Sequence, residues 1–505
     1  MIKVDNIKVP LDYNDNLLKS LIEKKIKDRI IDFKVYKKSV DARFDVCFNM
    51  SFLVNVKNES KHKNLIYTPK KPLVVPKSND KKVVIIGSGP AGLFSALILI
   101  EAGLKPIIIE RGKDISGREI DINNLLKNKV LNKDSNFVYG LGGAGTYSDG
   151  KLTTNINSEY NSFIFETFVK FGADPDILYE GMPHIGTDVL KKVVKNMANY
   201  INKFGRIYFE HKFIDIVDKK IICDNNGKEV IIDTDYLILA IGHSPKETFE
   251  MLNKKGLFME QKPFSMGVRI EHKQELINKI QYKDAYKNKN LPAATYKMAV
   301  HLDSRDVYTF CMCPGGMVVP SMDKENTLVV NGMSYKSRDL ENSNAALLVN
   351  VNTSDYNSND PLAGFTFRDK YEALSFNKDY KANIARLEDF LENRETSKIG
   401  VVKPSYPLGY NFKKLDLCLP DFVCKSLREA IPLFDKKMRG FNDKDAILTA
   451  IESRSSCPVR ITRNENLETN IDWIYAAGEG SGYAGGITTS AIDGIKVALK
   501  IVNRQ

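Results

Sequence analysis

The stretch Val83 to Ile100, VVIIGSGPAGLFSALILI, runs eighteen residues without a charge in a chain of which 27% is charged. Its length sits at the lower edge of what crosses a bilayer. Its centre argues against a span, because GSGPAG sets three glycines and a proline where a spanning helix needs an unbroken hydrogen-bond ladder. Divided there, VVII has the length and β-branching of a strand, while LFSALILIEAG has helix length and ends on a glycine stop signal. Gly87, Gly89 and Gly92 form GxGxxG at the junction, with Ser88, Pro90 and Ala91 between them. The first glycine permits a tight turn, the second lets backbone approach a pyrophosphate, and the third lets helix pack on strand. Free N–H groups at the helix start would favour the phosphates. A second strand, KPIIIE, ends on Glu110, 23 residues after Gly87, where a carboxylate can accept hydrogen bonds from ribose hydroxyls. A dinucleotide site is the expectation.

At 505 residues the chain calls for two or three domains, and 43% apolar residues are enough for them to fold. The start, MIKVDNIKVPLDYND, alternates polar and apolar residues and does not resemble a secretion signal, so the cytoplasm is the expected compartment. Seven cysteines without a CxxC pair do not make a disulfide framework or a zinc ribbon. The histidines at 62, 184, 211, 243, 272 and 301 never fall at metal-ligand spacing, and no metal is expected. Residues 1 to 80 hold 17 Lys/Arg against 10 Asp/Glu, which is +7 of the formal +11. The lysines there are interleaved with acids, which favours a solvated surface over a nucleic-acid face.

Residues 1 to 76 read as a small α+β module, strand, helix, strand, strand, followed by a proline-punctuated linker. Its helix, NDNLLKSLIEKKIKDRI, carries Leu17, Leu18, Leu21, Ile22 and Ile26 on one face. Residues 77 to 260 have an α/β pattern. Residues 261 to 444 become β-rich with helical inserts such as YKANIARLEDFLENR, and residues 445 to 505 return to strand, glycine turn and helix. That order suits a nucleotide domain interrupted by an inserted β-rich α+β domain.

The string KKVVIIGSGPAGLFSALILIEAGLKPIIIERG resembles the FAD-binding opening of glutathione-reductase-type flavoproteins, in which the GxGPAG loop and the terminal Glu hold the ADP half of FAD. The resemblance implies a Rossmann-like FAD domain and extends the site to Arg111, Gly112 and Arg118. A β-meander and an apolar strand follow in the same order, implying backbone contact with adenine at Phe213 and a close turn at Ala240, Ile241 and Gly242. WIYAAGEGSGYAGGI resembles the last FAD motif, with Gly478, Glu479, Gly485, Gly486 and Ile487 at the ribityl chain and flavin. Many relatives carry Asp where this chain has Glu479. The helix opened by Gly485 and Gly486 would face the flavin N1 and C2 carbonyl, and the two glycine turns would grip opposite ends of one cofactor.

Further strings, SVDAR, GGAGTYSDGKLTTN, PHIGTD, FCMCPGGMVVP, NGMSYKSRDLENSNAALLV, ESRSSCPVRITR and GEGSGYAGGI, resemble a bacterial group of uncharacterised FAD-dependent dehydrogenases, also called NAD(FAD)-utilising dehydrogenases. This implies a fold and a cofactor without naming a substrate. Gly142, Gly143, Ala144, Gly145 and Thr146 give a loop whose backbone can approach a phosphate or ring, and Lys151 either brings a charge to the flavin or is an exposed neighbour.

Cys311 and Cys313 in CMCPGG point to one side if the segment is extended. Packing is favoured for them over a substrate-lining role and over redox thiol chemistry. The disulfide-reducing flavoenzymes carry their cysteines near the first glycine motif, where this chain has none. Arg269, Arg454 and Arg460 either bind an anionic substrate or pack domains. His184 is expected to be structural. With one GxGxxG in the chain, NAD(P)H, if it is the donor, binds transiently at the flavin face, as in single-Rossmann hydroxylases and reductases. The leading expectation is an FAD-dependent oxidoreductase acting on a small organic molecule between the domains. The alternatives are an RNA-associated flavoprotein using the basic N-terminal module and a flavin-binding protein without turnover.

Overall fold

The computed structural model describes every residue except Asn79, Asn155 and Gln505, so one linker residue and the last residue of GGAGTYSDGKLTTN lie outside the described residues. Val83–Ile86 is the middle strand of a five-stranded parallel sheet ordered Ile474–Ala476, Tyr236–Leu239, Val83–Ile86, Ile107–Ile109, Arg206–Tyr208. Layers on both faces bury it, which is why its sequence is continuously apolar rather than alternating.

The following helix, Pro90–Glu101, begins three residues before the apolar run at Leu93 suggested. Pro90 supplies a preset φ at the first helical position and Gly89 is the N-cap. Residues Ala91 through Leu99 are all buried, so this helix has no solvent face. Its outer side is covered by the C-terminal helix Ile487–Asn503, which approaches closely at Gly494: a Cβ there would lie 2.2 Å from the Ala91 carbonyl oxygen. Ser95 Oγ donates to Gly494 O at 2.9 Å and fixes the contact. No helix among the described residues is long and apolar enough to cross a membrane.

The antiparallel meander Lys212–Val217, Lys220–Asn225, Lys228–Asp233 leads into Tyr236–Leu239. The inserted domain is built on a seven-stranded sheet ordered Ala299–His301, Asp306–Cys313, Asn342–Val351, Phe264–Lys273, Ile447–Glu452, Ala382–Arg386, Tyr410–Phe412. All its pairs are antiparallel except the last. Two sequence expectations change here. The segment YKANIARLEDFLENR is not one helix: Ala382–Arg386 is a strand buried along its whole length, and only Leu387–Leu391 is helical. Its i, i+3 spacing of apolar residues imitates a helix, but the sheet claims the first half. The strand Ile447–Glu452 belongs to the cap sheet, so the chain returns to the first domain after Glu452 rather than at residue 445.

The N-terminal module has strands Ile2–Val9, Ile30–Asp41 and Cys47–Val56, with the last in the middle, and helix Asp15–Ile26 packed over them through Leu18 and Ile22. Lys38 N donates to Tyr179 O at 2.8 Å and Gly181 N to Lys38 O at 2.7 Å, and Asn290 Nδ2 donates to Leu11 O at 3.0 Å. The module is thus docked against both larger domains.

Candidate active site

A cleft of about 460 Å³ opens where the carboxyl ends of the parallel strands meet the cap sheet. This is the place where open α/β sheets take their ligands, because loops diverge there and helices begin. Gly87, Ser88, Gly89, Pro90 and Ala91 line it, as do Glu110, Arg111, Gly143, Ala144, Gly145, Phe213, Ala240, Ile241, Gly242, Glu479, Gly485, Gly486 and Ile487. The cap contributes Tyr296, Phe310, Cys311, Met312 and Glu452, and Lys151 lies on the wall between.

The glycines of the first motif divide by task. A Cβ on Gly92 would sit 2.0 Å from Gly87 O, whereas one on Gly89 meets nothing within 4 Å and would project into open cleft. Gly485 is likewise open, and neither Gly89 nor Gly486 is accompanied by a side-chain cap on the helix it starts. Two uncapped helix N-termini therefore reach one cleft, a strong setting for an anion. They are neighbours through the glycine loop: a Cβ on Gly145 would lie 3.3 Å from Ile487 and 4.0 Å from Pro90.

Six residues expected at the cofactor, Gly92, Gly112, Arg118, Gly142, Thr146 and Gly478, are not among those lining the cleft. They shape the turns. Arg118 is fully buried, donating from Nε to Asn136 O at 2.7 Å and from Nη1 to Leu141 O at 2.9 Å and Gly143 O at 3.0 Å. Burial lowers its pKa to about 10, and its Nη2 has no hydrogen-bond partner among the described residues. Glu110 is similarly engaged: its oxygens accept from Ser88 N at 3.0 Å, Ser88 Oγ at 2.5 Å, Gly112 N at 2.9 Å and Gly140 N at 3.1 Å. A carboxylate has about four acceptor positions, so a ribose hydroxyl would have to share or displace one of these donors. Arg111 donates to Asp134 and Glu247, both at 2.7 Å from Nη2.

The arginines expected to bind an anion are committed elsewhere. Arg269 donates to Asn344 Oδ1, Cys311 O and Glu452, the last at 3.1 Å. Arg454 reaches the cleft, but its guanidinium is held by Asp323 at 2.6 Å and Glu372 at 2.8 Å. Arg460 pairs with Glu260 and is not a cleft residue. Tertiary contacts decide this, since spacing in sequence does not show where an arginine's partners are.

Lys151 Nζ donates to Met312 O, joining the two domains across the cleft. Asp149, in the same loop, accepts from Arg338 Nε at 2.9 Å and Nη2 at 2.5 Å and from Ser334. His184 is a structural neighbour of this latch: Nε2 lies 3.2 Å from Lys336 O, and burial lowers its pKa to about 4.

Four groups at the cleft were not singled out from sequence. His243 Nδ1 lies 3.1 Å from Glu479 Oε2. Tyr296 presents a buried hydroxyl without a partner among the described residues. Asn331 lines the cap wall. Glu452 is buried, and burial pushes its carboxyl up to about 7 against the pull of Arg269. An acidic residue after an apolar strand was the available signal for Glu452, but it has no spacing partner to mark it.

The architecture and this cleft define a Rossmann-type flavoprotein with an inserted cap domain. Residues 81–300 match the family described as pyridine nucleotide-disulphide oxidoreductase, residues 263–455 match FAD-dependent protein, C-terminal domain-like, and residues 1–55 match a domain family of unknown function. An uncharacterized protein of Clostridium beijerinckii (strain ATCC 51743 / NCIMB 8052) is 42% identical over 528 aligned positions, covering 100% of this chain and 99% of that one. The chain belongs to the family of that protein, and its two large domains are of FAD-dependent oxidoreductase type. Among solved structures, a flavoprotein/dehydrogenase from Cytophaga hutchinsonii is similar at 12% identity over 83% of this chain and 78% of that chain, with a TM-score of 0.38. The flavin-dependent halogenase CmlS is similar at 13% identity over 85% and 59%, with a TM-score of 0.37.

Proposed function

We propose that the protein is an FAD-dependent oxidoreductase that moves a hydride or electron pair between a transiently bound NAD(P)H and a small organic substrate held against the cap wall. The observation that carries this is the pair of uncapped, glycine-started helices, Pro90–Glu101 and Ile487–Asn503, opening side by side into one cleft. Gly89 leaves room for a pyrophosphate at the first helix, and a Cβ there would fill it. When bound, FAD supplies two-electron chemistry between donor and substrate. The second helix N-terminus would stabilise negative charge on the reduced ring by roughly 0.3–2 kcal/mol. His243 and Glu479 offer a hydrogen-bonding pair on the same wall. Glu452, titrating near neutrality, can hold or release a proton at the cap side while Arg269 keeps its carboxyl oriented. The match of residues 81–300 to the pyridine nucleotide-disulphide oxidoreductase family supports the direction of this reading, and the setting proposed for it is the bacterial cytoplasm.

The test is flavin content of the purified protein followed by anaerobic rapid mixing with NADH and NADPH. A bound flavin whose visible absorbance is lost on mixing is the expected result. A protein that neither carries nor takes up FAD overturns the cofactor assignment, and a flavin that neither nucleotide reduces overturns the donor.

A further inference from the structure

The cap strand Asp306–Cys313 loses its register with Asn342–Val351 between Phe310 and Cys313, and Cys311 has φ +41°. A left-handed conformation at a residue other than glycine is costly and is kept where neighbouring structure enforces it. The kink turns Cys311 to the cleft wall and leaves Cys313 buried behind it. The regular strand expected from sequence would simply have set both on one face.

The two cysteines are separated by one residue, and Cys313 Sγ donates to Cys311 O at 3.3 Å. Arg269 Nη2 lies 3.4 Å from Cys313 Sγ and 3.0 Å from Cys311 O, and Lys151 is bonded to the intervening Met312 carbonyl. The hydrogen bond from Cys313 lowers the Cys311 pKa, burial opposes it, and Lys151 and Arg269 assist; Cys313 is pushed the other way. The two sulfurs are thus unequal, Cys311 the more readily ionised and Cys313 the one that holds its proton more tightly, the asymmetry that thiol exchange uses. Elsewhere in the chain burial is the leading influence and raises the Cys223, Cys424 and Cys457 thiols.

We propose that Cys311 and Cys313 form a dithiol–disulfide couple that exchanges two electrons with FAD in the cleft, which makes the cap wall a second redox centre. In the oxidising direction two S–H bonds break and one S–S bond forms. The sulfurs lose two electrons and FAD gains them; one proton accompanies the electrons to the flavin and the other passes to the Glu452 carboxylate. Reduction runs the same step backwards. The inference rests on the FAD reading above.

The test uses the FAD-loaded enzyme, oxidised with ferricyanide, freed of excess oxidant and titrated anaerobically with dithionite. The wild type should accept four electrons per FAD, and C311S and C313S two. Alkylation under denaturing conditions followed by peptide mass analysis should find the 311/313 peptide unlabelled and lighter by two hydrogens before titration, and doubly labelled after it. In flavin-stripped protein the same disulfide should persist over the same interval. A yellow wild type that accepts two electrons, with both cysteines alkylated after oxidation, overturns the couple and leaves the FAD reading intact. A colourless protein that takes up no FAD overturns both. The mass measurement needs no variant, so a C313S chain that fails to fold does not remove the test.

Discussion

The two walls of the cleft are built by different means. On the parallel-sheet side the lining is largely backbone: Gly89, Gly143, Gly145, Gly485 and Gly486 bring main chain to the surface, with open space in front of Gly89 and Gly485. On the cap side the lining is side chains with protons or electrons to exchange, namely Cys311, Tyr296 and Glu452. A backbone wall recognises charge and shape that many ligands share, while a side-chain wall selects a reaction. The difference places shared cofactor chemistry on one side and the individuality of this protein on the other.

The comparison can be broken most forcefully at Gly92. Gly92→Val puts a side chain into the Gly87 carbonyl and is expected to cost about 3 kcal/mol or more of stability, read by denaturant unfolding. Gly89→Val, three positions earlier, should cost the apoprotein only about 1 kcal/mol yet abolish retention of flavin; a stable, fully yellow Gly89→Val protein would remove the backbone wall's role.

The cap wall is sharpened by Glu452→Gln. The folded pKa of Glu452, about 7, lies above its ordinary value of 4.5, so the native state holds the proton more tightly. That contribution to stability is complete below pH 4.5 and is lost as pH rises to about 7, with a slope of at most about 1.4 kcal/mol per pH unit. Glu452→Gln should flatten this segment of a thermal-denaturation pH series; an unchanged slope would assign the pH dependence to other groups. The smallest effect is expected at Arg460→Ala. Its pair with Glu260 is exposed and outside both walls, so stability should move by less than about 0.5 kcal/mol and flavin affinity not at all.

Much of the flavin-domain wall was legible in the sequence because its logic is local. Gly87, Gly89 and Gly92 act within one turn, and strand, turn and helix are contiguous. Which glycine faces ligand and which faces protein was not legible, since Gly92 is pressed against Gly87 only after the helix has docked. The cap wall was hardly legible. Glu452 is set beside Arg269, 183 residues away, and Arg454 is drawn to Asp323 and Glu372 rather than left for a substrate. Ala382–Arg386 was misread as helix for the same reason: the sheet edge that takes it up is formed by Ile447–Glu452, more than sixty residues later.

By itself the sequence determined a dinucleotide-type domain, its interruption by a β-rich insert and a small βαββ module ahead of a linker, because turn chemistry and hydrophobic period act over a few residues. Only the tertiary structure decided that two helix starts nearly four hundred residues apart open side by side, that Glu110 and the arginines are already engaged, and that a kink at Cys311 turns one thiol to the cleft and leaves Cys313 behind it. Those outcomes depend on which distant groups satisfy one another once water is excluded, and no local pattern carries that information.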